Sequence, residues 1–229
     1  MNISVLNTGP FGVNTLIVPL CENKVLVFDP AACNFTNDSN KITSFLSSNN
    51  LEPVAFILTH GHFDHITGTG IMKKAYSDVP LVCCKEDSIM VGQNAEYAQS
   101  YVLEQMGLEK LCVALKTLPS PDILFSGEPV LSSLLKNISD KNLIAELNCW
   151  KALHTPGHTP GSVCWYNKNE KILISGDTVF FHSWGRTDLP GGSESLMAKS
   201  LKRIYSEIPD DVQVFPGHET VGFLLGENK

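Results

Sequence analysis

The sequence predicts an α/β fold with two sheets and helices packed against them. Short β-branched runs alternate with segments of helical periodicity, and the second half of the chain repeats the strand and helix rhythm of the first. Hydrophobic residues make up 43% and charged residues 18% of the 229 residues, which is the composition of an ordinary globular protein. We therefore expect one domain over residues 1–229, with two packed sheets flanked by helices.

The first half opens with three short strands that predict an antiparallel meander. They lie at Ile3–Leu6, Thr15–Leu20 and Val25–Phe28, and turn residues separate the first two. A helix is expected over Lys41–Ser48, with Asp38 or Ser39 as its cap. The remaining elements of this half are a buried strand at Val54–Leu58, a helix near Gly70–Tyr76, a strand at Leu81–Cys84 and a helix over about Asn94–Met106.

The middle of the chain, Leu118–Lys141, is rich in proline but lacks the length of an interdomain linker, so it predicts a surface excursion within the domain. The second half then follows the earlier rhythm. Its expected elements are strands around Leu143–Leu153, Ser162–Tyr166 and Lys171–Ser175, a helix from about Ser195 to Ile208, and a strand at Val212–Phe215.

Charge and composition exclude several classes of function. The 24 acidic residues outnumber the 17 basic ones, which argues against a partner bound through a basic surface, such as nucleic acid or an anionic membrane. No secretory signal and no apolar run of ~18 residues is visible, so we expect a cytoplasmic protein. The seven cysteines are scattered and never spaced Cys-x-x-Cys, which favours reduced thiols.

The segment Thr59–His65 carries the sharpest chemical signal. It reads Thr-His-Gly-His-Phe-Asp-His and begins where a buried apolar strand ends. Neutral imidazole and carboxylate are ligands that zinc, iron and manganese accept. Three more loops next to apolar strands hold candidate ligands, namely His154–His158, Ser175–Thr178 and Phe215–His218. Together these loops predict a metal site.

As an ordered set, these motifs resemble the metallo-β-lactamase superfamily and, within it, the short glyoxalase II-like hydrolases. The resemblance covers nearly the whole chain. It is carried by the segments Thr59–His65, Thr155–Ser162, Ser175–Thr178, Gly185–Gly192 and Pro216–His218. It implies a four-layer αββα sandwich of two mixed β-sheets flanked by helices, with the metal centre at one edge between the two halves.

The resemblance also implies a binuclear metal centre with seven ligands. His60, His62 and His158 would bind one ion, Asp64, His65 and His218 the other, and Asp177 would bridge them. The ions are expected to be zinc, with iron or manganese as alternatives, since such sites select poorly among these metals. His154 is expected to be a structural or outer partner of the site.

The implied reaction is hydrolysis of S-D-lactoylglutathione or a related thioester by a metal-bound hydroxide, which Asp64 would orient and help deprotonate. Because only 11 residues follow His218, we expect no C-terminal helical domain to grip glutathione. Substrate recognition would then fall to Trp184 and Arg186, with His182 as a further lining residue. The alternative for Arg186 is a structural ion pair with Asp188.

Two other functions stay open at this point. One is a persulfide dioxygenase-like oxidoreductase with a single iron, a related branch that retains the histidine loop and a Gly-Arg-Thr-Asp element. The other is a metal-binding protein without catalysis. The expected partner is a small-molecule thioester, and the sequence does not indicate an oligomeric state.

Overall fold

Two mixed β-sheets, one in each of two structural units, organise the chain. The computed structural model describes residues 1–228. The first unit spans residues 1–124, and the second begins at residue 125. The single domain over residues 1–229 that the sequence indicates stays a prediction.

The first sheet contains six strands that are neighbours in chain order. They are β1 (Ser4–Thr8), β2 (Val13–Pro19), β3 (Lys24–Phe28), β4 (Glu52–Ile57), β5 (Leu81–Cys84) and β6 (Ile123–Phe125). The first three pair antiparallel, as the predicted meander requires, and β3, β4 and β5 pair in parallel. Parallel neighbours need a crossover connection, and here helices lie between β3 and β4 and between β4 and β5.

Five α-helices belong to the first unit. They are α1 (Lys41–Ser48), α2 (Phe63–Ile66), α3 (Thr69–Ala75), α4 (Ala95–Gln105) and α5 (Lys110–Leu115). The apolar face of α1 buries Ile42 and Leu46 in the same cluster as Val27 and Phe56 of the sheet and Leu103 of α4. This packing supports the end of β4, from which the histidine-rich loop emerges.

The second unit holds the other sheet, whose strand order is β11-β10-β9-β8-β7. Its strands are β7 (Trp150–His154), β8 (Val163–Asn167), β9 (Ile172–Gly176), β10 (Gln213–Pro216) and β11 (Phe223–Leu224). Its α-helices are α6 (Leu131–Leu134), α7 (Lys141–Asn148) and α8 (Glu194–Glu207). Within the described part of this unit, β9 and β10 are the only strands that pair in parallel. Ile204 of α8 packs in one cluster with Leu173 and Val214 of these strands.

The strand expected around Leu143–Leu153 is wrong in its first half. Residues Lys141–Asn148 form α7, and only Trp150–His154 is a strand. The Asp140 carboxylate accepts hydrogen bonds from the backbone N–H of Asn142 and Leu143, which is the arrangement of a helix N-cap. Leu143 and Leu147, four residues apart, are both buried on one helical face.

Two smaller expectations also need correction. The stretch Leu118–Lys141 is more than a surface excursion, because it contains β6 and α6. Asp38 does not cap α1; its carboxylate accepts hydrogen bonds from the backbone N–H of Gly9 and Cys33. The N-cap position is Asn40, whose side chain makes no capping hydrogen bond.

The structure also describes the seven cysteines and the lengths of the helices. None of the seven cysteines, all within the described part of the chain, forms a disulfide. Among residues 1–228, no helix combines the length and the apolar character needed to cross a membrane.

Candidate metal centre

The first unit gathers four of the predicted ligands directly after β4. His60 and His62 lie on the extended segment that leaves the strand, and Asp64 and His65 lie on α2. The ring centroids of His60 and His62 are 4.9 Å apart, and those of His60 and His65 are 4.1 Å apart. His65 Nε2 lies 3.8 Å from Asp64 Oδ2, and all four side chains are buried. Three imidazoles and one carboxylate therefore lie close together directly after β4.

Asp29 orients two of these histidines. Asp29 Oδ1 accepts from the backbone N–H of Thr59 (2.7 Å), and Oδ2 accepts from the Thr59 hydroxyl (2.7 Å) and from His65 Nδ1 (2.9 Å). Because the Thr59 hydroxyl gives its proton to Asp29, it must accept from His60 Nδ1 at 3.0 Å. Both histidines carry their proton on Nδ1, so Nε2 is the nitrogen that can bind a metal.

Two buried polar side chains hold the backbone of the histidine loop. Asp87 accepts from the Gly61 N–H at 2.8 Å. The Gln99 carbonyl accepts from the Phe63 N–H at 2.7 Å, and its amide donates to the carbonyl of Gly61 at 3.0 Å and to that of Met90 at 2.9 Å. A Cβ on Gly61 would lie 3.0 Å from Met90 Cβ and 3.1 Å from Asp87 Cβ, so this close packing favours glycine.

The second unit gathers the other three predicted ligands. His158 lies in the loop between β7 and β8, Asp177 directly follows β9, and His218 follows β10. Asp177 Oδ2 is 3.5 Å from His158 Nε2 and 3.6 Å from His218 Nε2. One carboxylate oxygen thus lies near two imidazole nitrogens, an arrangement compatible with the predicted bridging role of Asp177.

A backbone carbonyl sets the tautomer of His158. His158 Nδ1 lies 2.7 Å from the carbonyl oxygen of Arg186, which can only accept, so Nδ1 carries the proton and Nε2 is left for a metal. The preceding residue, Gly185, lets the Arg186 carbonyl come this close to the His158 ring, because glycine has no side chain. A Cβ at Gly185 would lie 1.9 Å from the carbonyl oxygen of Asp177 and 3.1 Å from His158 Nδ1.

The predicted substrate residues lie on the segment that follows β9. Trp184 is 59% exposed. Arg186 donates from Nε and from one terminal nitrogen to the two carboxylate oxygens of Asp188, each at 2.7 Å, and this pairing lowers the pKa of Asp188 to about 2. His182 has a left-handed backbone (φ 56°), and its N–H donates to the side-chain oxygen of Asn228. The ion pair that was the alternative for Arg186 is therefore present.

The donor chemistry in both units suits divalent transition metals. The seven side chains offer imidazole nitrogen and carboxylate oxygen, the ligand types of zinc, iron and manganese sites in proteins. For His60, His65 and His158, an outer hydrogen bond selects Nε2, as metal-binding histidines require.

Sequence reasoning missed the residues that hold this donor set in place. Asp29, Asp87 and Gln99 lie far from the motif along the chain. Asp29 had a usable signal, because it directly follows the buried strand Val25–Phe28 and precedes a proline, at the kind of strand end where sites are built. Asp87 and Gln99 carry no comparable signal.

Comparison with known proteins identifies the family. The model of the metallo-β-lactamase superfamily matches residues 8–218. The chain belongs to this superfamily. The prediction of the metallo-β-lactamase fold, with two mixed sheets flanked by helices, is confirmed. Members of this superfamily are mostly metal-dependent hydrolases.

Individual relatives cover nearly the whole chain. An uncharacterized protein of Aquifex aeolicus is 31% identical over 95% of this chain and 90% of its own length. The hydroxyacylglutathione hydrolase GloC of Haemophilus influenzae is 26% identical over 95% of this chain and 91% of its own length.

Solved structures show the same fold. BLEG-1, a B3 metallo-β-lactamase, has a TM-score of 0.78 at 26% identity, covering 99% of this chain and 95% of its own. TTHA1623 in a di-iron-bound form has a TM-score of 0.72 at 26% identity, with 98% and 96% covered. ETHE1 from Myxococcus xanthus has a TM-score of 0.63, covers 98% of this chain and 78% of its own, and at 18% identity is similar in fold alone.

Proposed function

We propose that this protein is a metal-dependent thioester hydrolase of the glyoxalase II type, acting on S-D-lactoylglutathione or a related thioester. The observation that carries the proposal is the complete set of histidine and aspartate donors, presented in each unit with outer hydrogen bonds that favour metal binding. The similarity to GloC, a hydroxyacylglutathione hydrolase, supports the substrate class.

We infer that the seven donors hold two divalent ions in the assignment that the family resemblance implies. The position of Asp177 Oδ2 near both His158 and His218 supports a bridging carboxylate in the second unit. In the first unit, the close approach of His60, His65 and Asp64 supports the binding of a cation. Burying these polar groups together is costly without a compensating charge.

Divalent ions bound by such donors lower the pKa of a bound water and polarise a carbonyl oxygen. The residues of the chain supply orientation and proton transfer. Asp64 is buried at the start of α2, next to His65, where its carboxylate can orient the attacking water and accept its proton.

Substrate recognition is assigned to the segment around Trp184 and Arg186. The exposed indole of Trp184 offers apolar surface to a thioester substrate. The guanidinium of Arg186 is already paired with Asp188, so a substrate carboxylate would have to share it or displace the partner. We expect Arg186→Ala to raise KM with little change in kcat, because a contact between the guanidinium and a substrate carboxylate is made equally in the ground and transition states.

The second candidate is the mono-iron persulfide dioxygenase. The likeness of the chain to Myxococcus xanthus ETHE1 concerns the fold only. The two candidates differ in the metals and the co-substrate that they need, so both can be tested on one preparation. A cytoplasmic location and the absence of nucleic-acid or membrane partners stay predictions from the sequence.

The deciding experiment combines metal analysis with two assays. The protein is reconstituted separately with zinc, iron and manganese, the bound metal is counted, and turnover is measured with S-D-lactoylglutathione and a panel of other thioesters. Oxygen uptake is measured with glutathione persulfide. Two ions per chain with thioester turnover is the expected result. Oxygen consumption by a one-iron protein without thioester turnover would instead establish the dioxygenase.

A further inference from the structure

We propose that His154 is a positioning residue for His158. It acts through a hydrogen bond to the carbonyl of Pro160, at the C-terminal end of the loop that carries His158. The proposal rests on the proposed function only in taking His158 as a metal ligand. His154 is the last residue of β7 and lies four residues before His158.

The loop that carries His158 is closed at its base by two hydrogen bonds. The backbone N–H of Thr155 donates to the carbonyl of Ser162 at 2.9 Å. His154 Nε2 lies 2.9 Å from the carbonyl oxygen of Pro160, and since that oxygen can only accept, the ring nitrogen is the donor. His158 therefore projects from a segment whose two ends are tied to each other.

His154 is in turn anchored by an ion pair. Its backbone N–H donates to Glu128 Oε1 at 3.1 Å. Both carboxylate oxygens of Glu128 accept from the guanidinium of Arg203, and this partner holds the pKa of Glu128 below its ordinary value. Arg203 lies on α8 and also pairs with Glu207 one turn later. The carboxylate and the guanidinium thus connect the end of β7 to the helix.

The same helix holds the opposite side of the loop directly. The Ser200 hydroxyl donates to the carbonyl of Pro156, and the Ser193 N–H donates to the carbonyl of Gly157, each at 2.8 Å. A Cβ on Gly157 would lie 2.4 Å from the backbone nitrogen of Met197, so the loop backbone lies directly against α8.

The helix is therefore a common support for both ends of the His158 loop. It holds residues 156 and 157 by direct contact and residue 160 through Arg203, Glu128 and His154. Loss of the His154 donor would release residue 160 from this support, while the hydrogen bond from Thr155 to Ser162 would remain. The expected result is a displaced His158 in a folded protein, which would weaken metal binding without abolishing it.

The test compares two substitutions of His154 that differ in the hydrogen-bond donor. His154→Gln keeps an N–H group at about the distance of Nε2 from the backbone, whereas His154→Leu has none. We expect His154→Leu to lower zinc affinity roughly 10- to 100-fold, the usual effect of losing an outer partner of a ligand, and His154→Gln to stay within about threefold of the wild type. Affinity is measured by chelator competition, and the visible spectrum of the cobalt-substituted protein reports ligand geometry.

A second pair of variants covers the case in which His154→Leu does not fold. Glu128→Gln weakens the anchor of His154 and should lower zinc affinity in the same direction by a smaller factor. Asp211→Asn weakens a comparable pair, Lys171–Asp211, which is exposed and has no link to the loop, and should leave zinc affinity unchanged. The free energy of unfolding of each metal-free variant is measured alongside.

The outcomes separate this proposal from the proposed function. Wild-type affinity in both His154→Leu and Glu128→Gln would overturn the positioning role, as would an equal loss in His154→Gln and His154→Leu. A wild-type protein that binds zinc but hydrolyses no thioester would overturn the proposed function, while the affinity comparison would still decide the role of His154.

Discussion

Replacing Asp29 with asparagine should weaken metal binding while leaving the backbone in place. Asp29 is buried, and its two oxygens accept three hydrogen bonds, from the N–H and the hydroxyl of Thr59 and from His65 Nδ1. The residue has a left-handed backbone (φ 47°), a conformation that asparagine also adopts readily. The substitution therefore changes the hydrogen-bonding chemistry of the site more than its shape.

The cost follows from counting donors and acceptors. The asparagine amide has one oxygen and one NH2 group, so at least one of the three native donors would face another donor. Leaving a buried donor unsatisfied costs about 1–3 kcal/mol, and the remaining bonds lose the contribution of a charged acceptor, about 1 kcal/mol each. We expect the free energy of unfolding of the metal-free protein to fall by about 3–5 kcal/mol. Zinc affinity should fall about 10- to 100-fold, because His65 and, through Thr59, His60 lose their fixed tautomers.

The assay has a matched control. Asp38 is also a carboxylate that accepts three hydrogen bonds, from Gly9, Cys33 and Thr36, none of which is a predicted ligand. Asp38→Asn should lower the free energy of unfolding, measured by urea denaturation in the presence of a chelator, but should not change zinc affinity. Equal losses of affinity in the two variants, or unchanged affinity in Asp29→Asn, would refute this reasoning.

Three further predictions concern the second unit. Asp177→Ala should remove most thioester turnover and reduce the number of bound ions per chain, measured by metal analysis; full occupancy in that variant would argue against a bridging carboxylate. Gly185→Ala should lower zinc affinity, because its Cβ would overlap the Asp177 carbonyl, whereas Gly70→Ala, with no contact closer than 3.8 Å, should not; equal affinities in the two variants would contradict this. The pKa of Asp188 is lowered from 3.8 to about 2 by Arg186, so its contribution to stability is present above about pH 4 and is lost as the pH falls toward 2. The difference in free energy of unfolding between the metal-free wild type and Asp188→Asn should therefore shrink between pH 5 and pH 2; a difference that does not change with pH would show that the ion pair contributes nothing to stability.

Local sequence signals predicted most of the elements well. The helix Lys41–Ser48 and the strand Leu81–Cys84 have the bounds expected from periodicity, because each buries apolar residues at the spacing of its own backbone. The expectation around Leu143 failed since a short apolar run fits either a strand or a helix. There the capping hydrogen bonds of Asp140 favoured the helix.

The sequence by itself determined which chemical groups form the candidate site. The three histidines and the one aspartate of Thr59–His65 are close together because they are close along the chain, and the remaining candidates were recognised by their places at strand ends.

The tertiary structure alone decided how these groups are held. Asp29 reaches Thr59 across 30 positions of the chain, Gln99 reaches Phe63 across 36, and Arg203 reaches Glu128 across 75. Aspartate, glutamine and arginine are common residues whose side chains can pair with many partners, so no local pattern marks those that become outer partners of a site. The proton positions of His65 and, through Thr59, of His60 depend on Asp29, and that of His158 depends on the carbonyl oxygen of Arg186. A neutral imidazole can carry its proton on either nitrogen until a neighbour accepts from one of them.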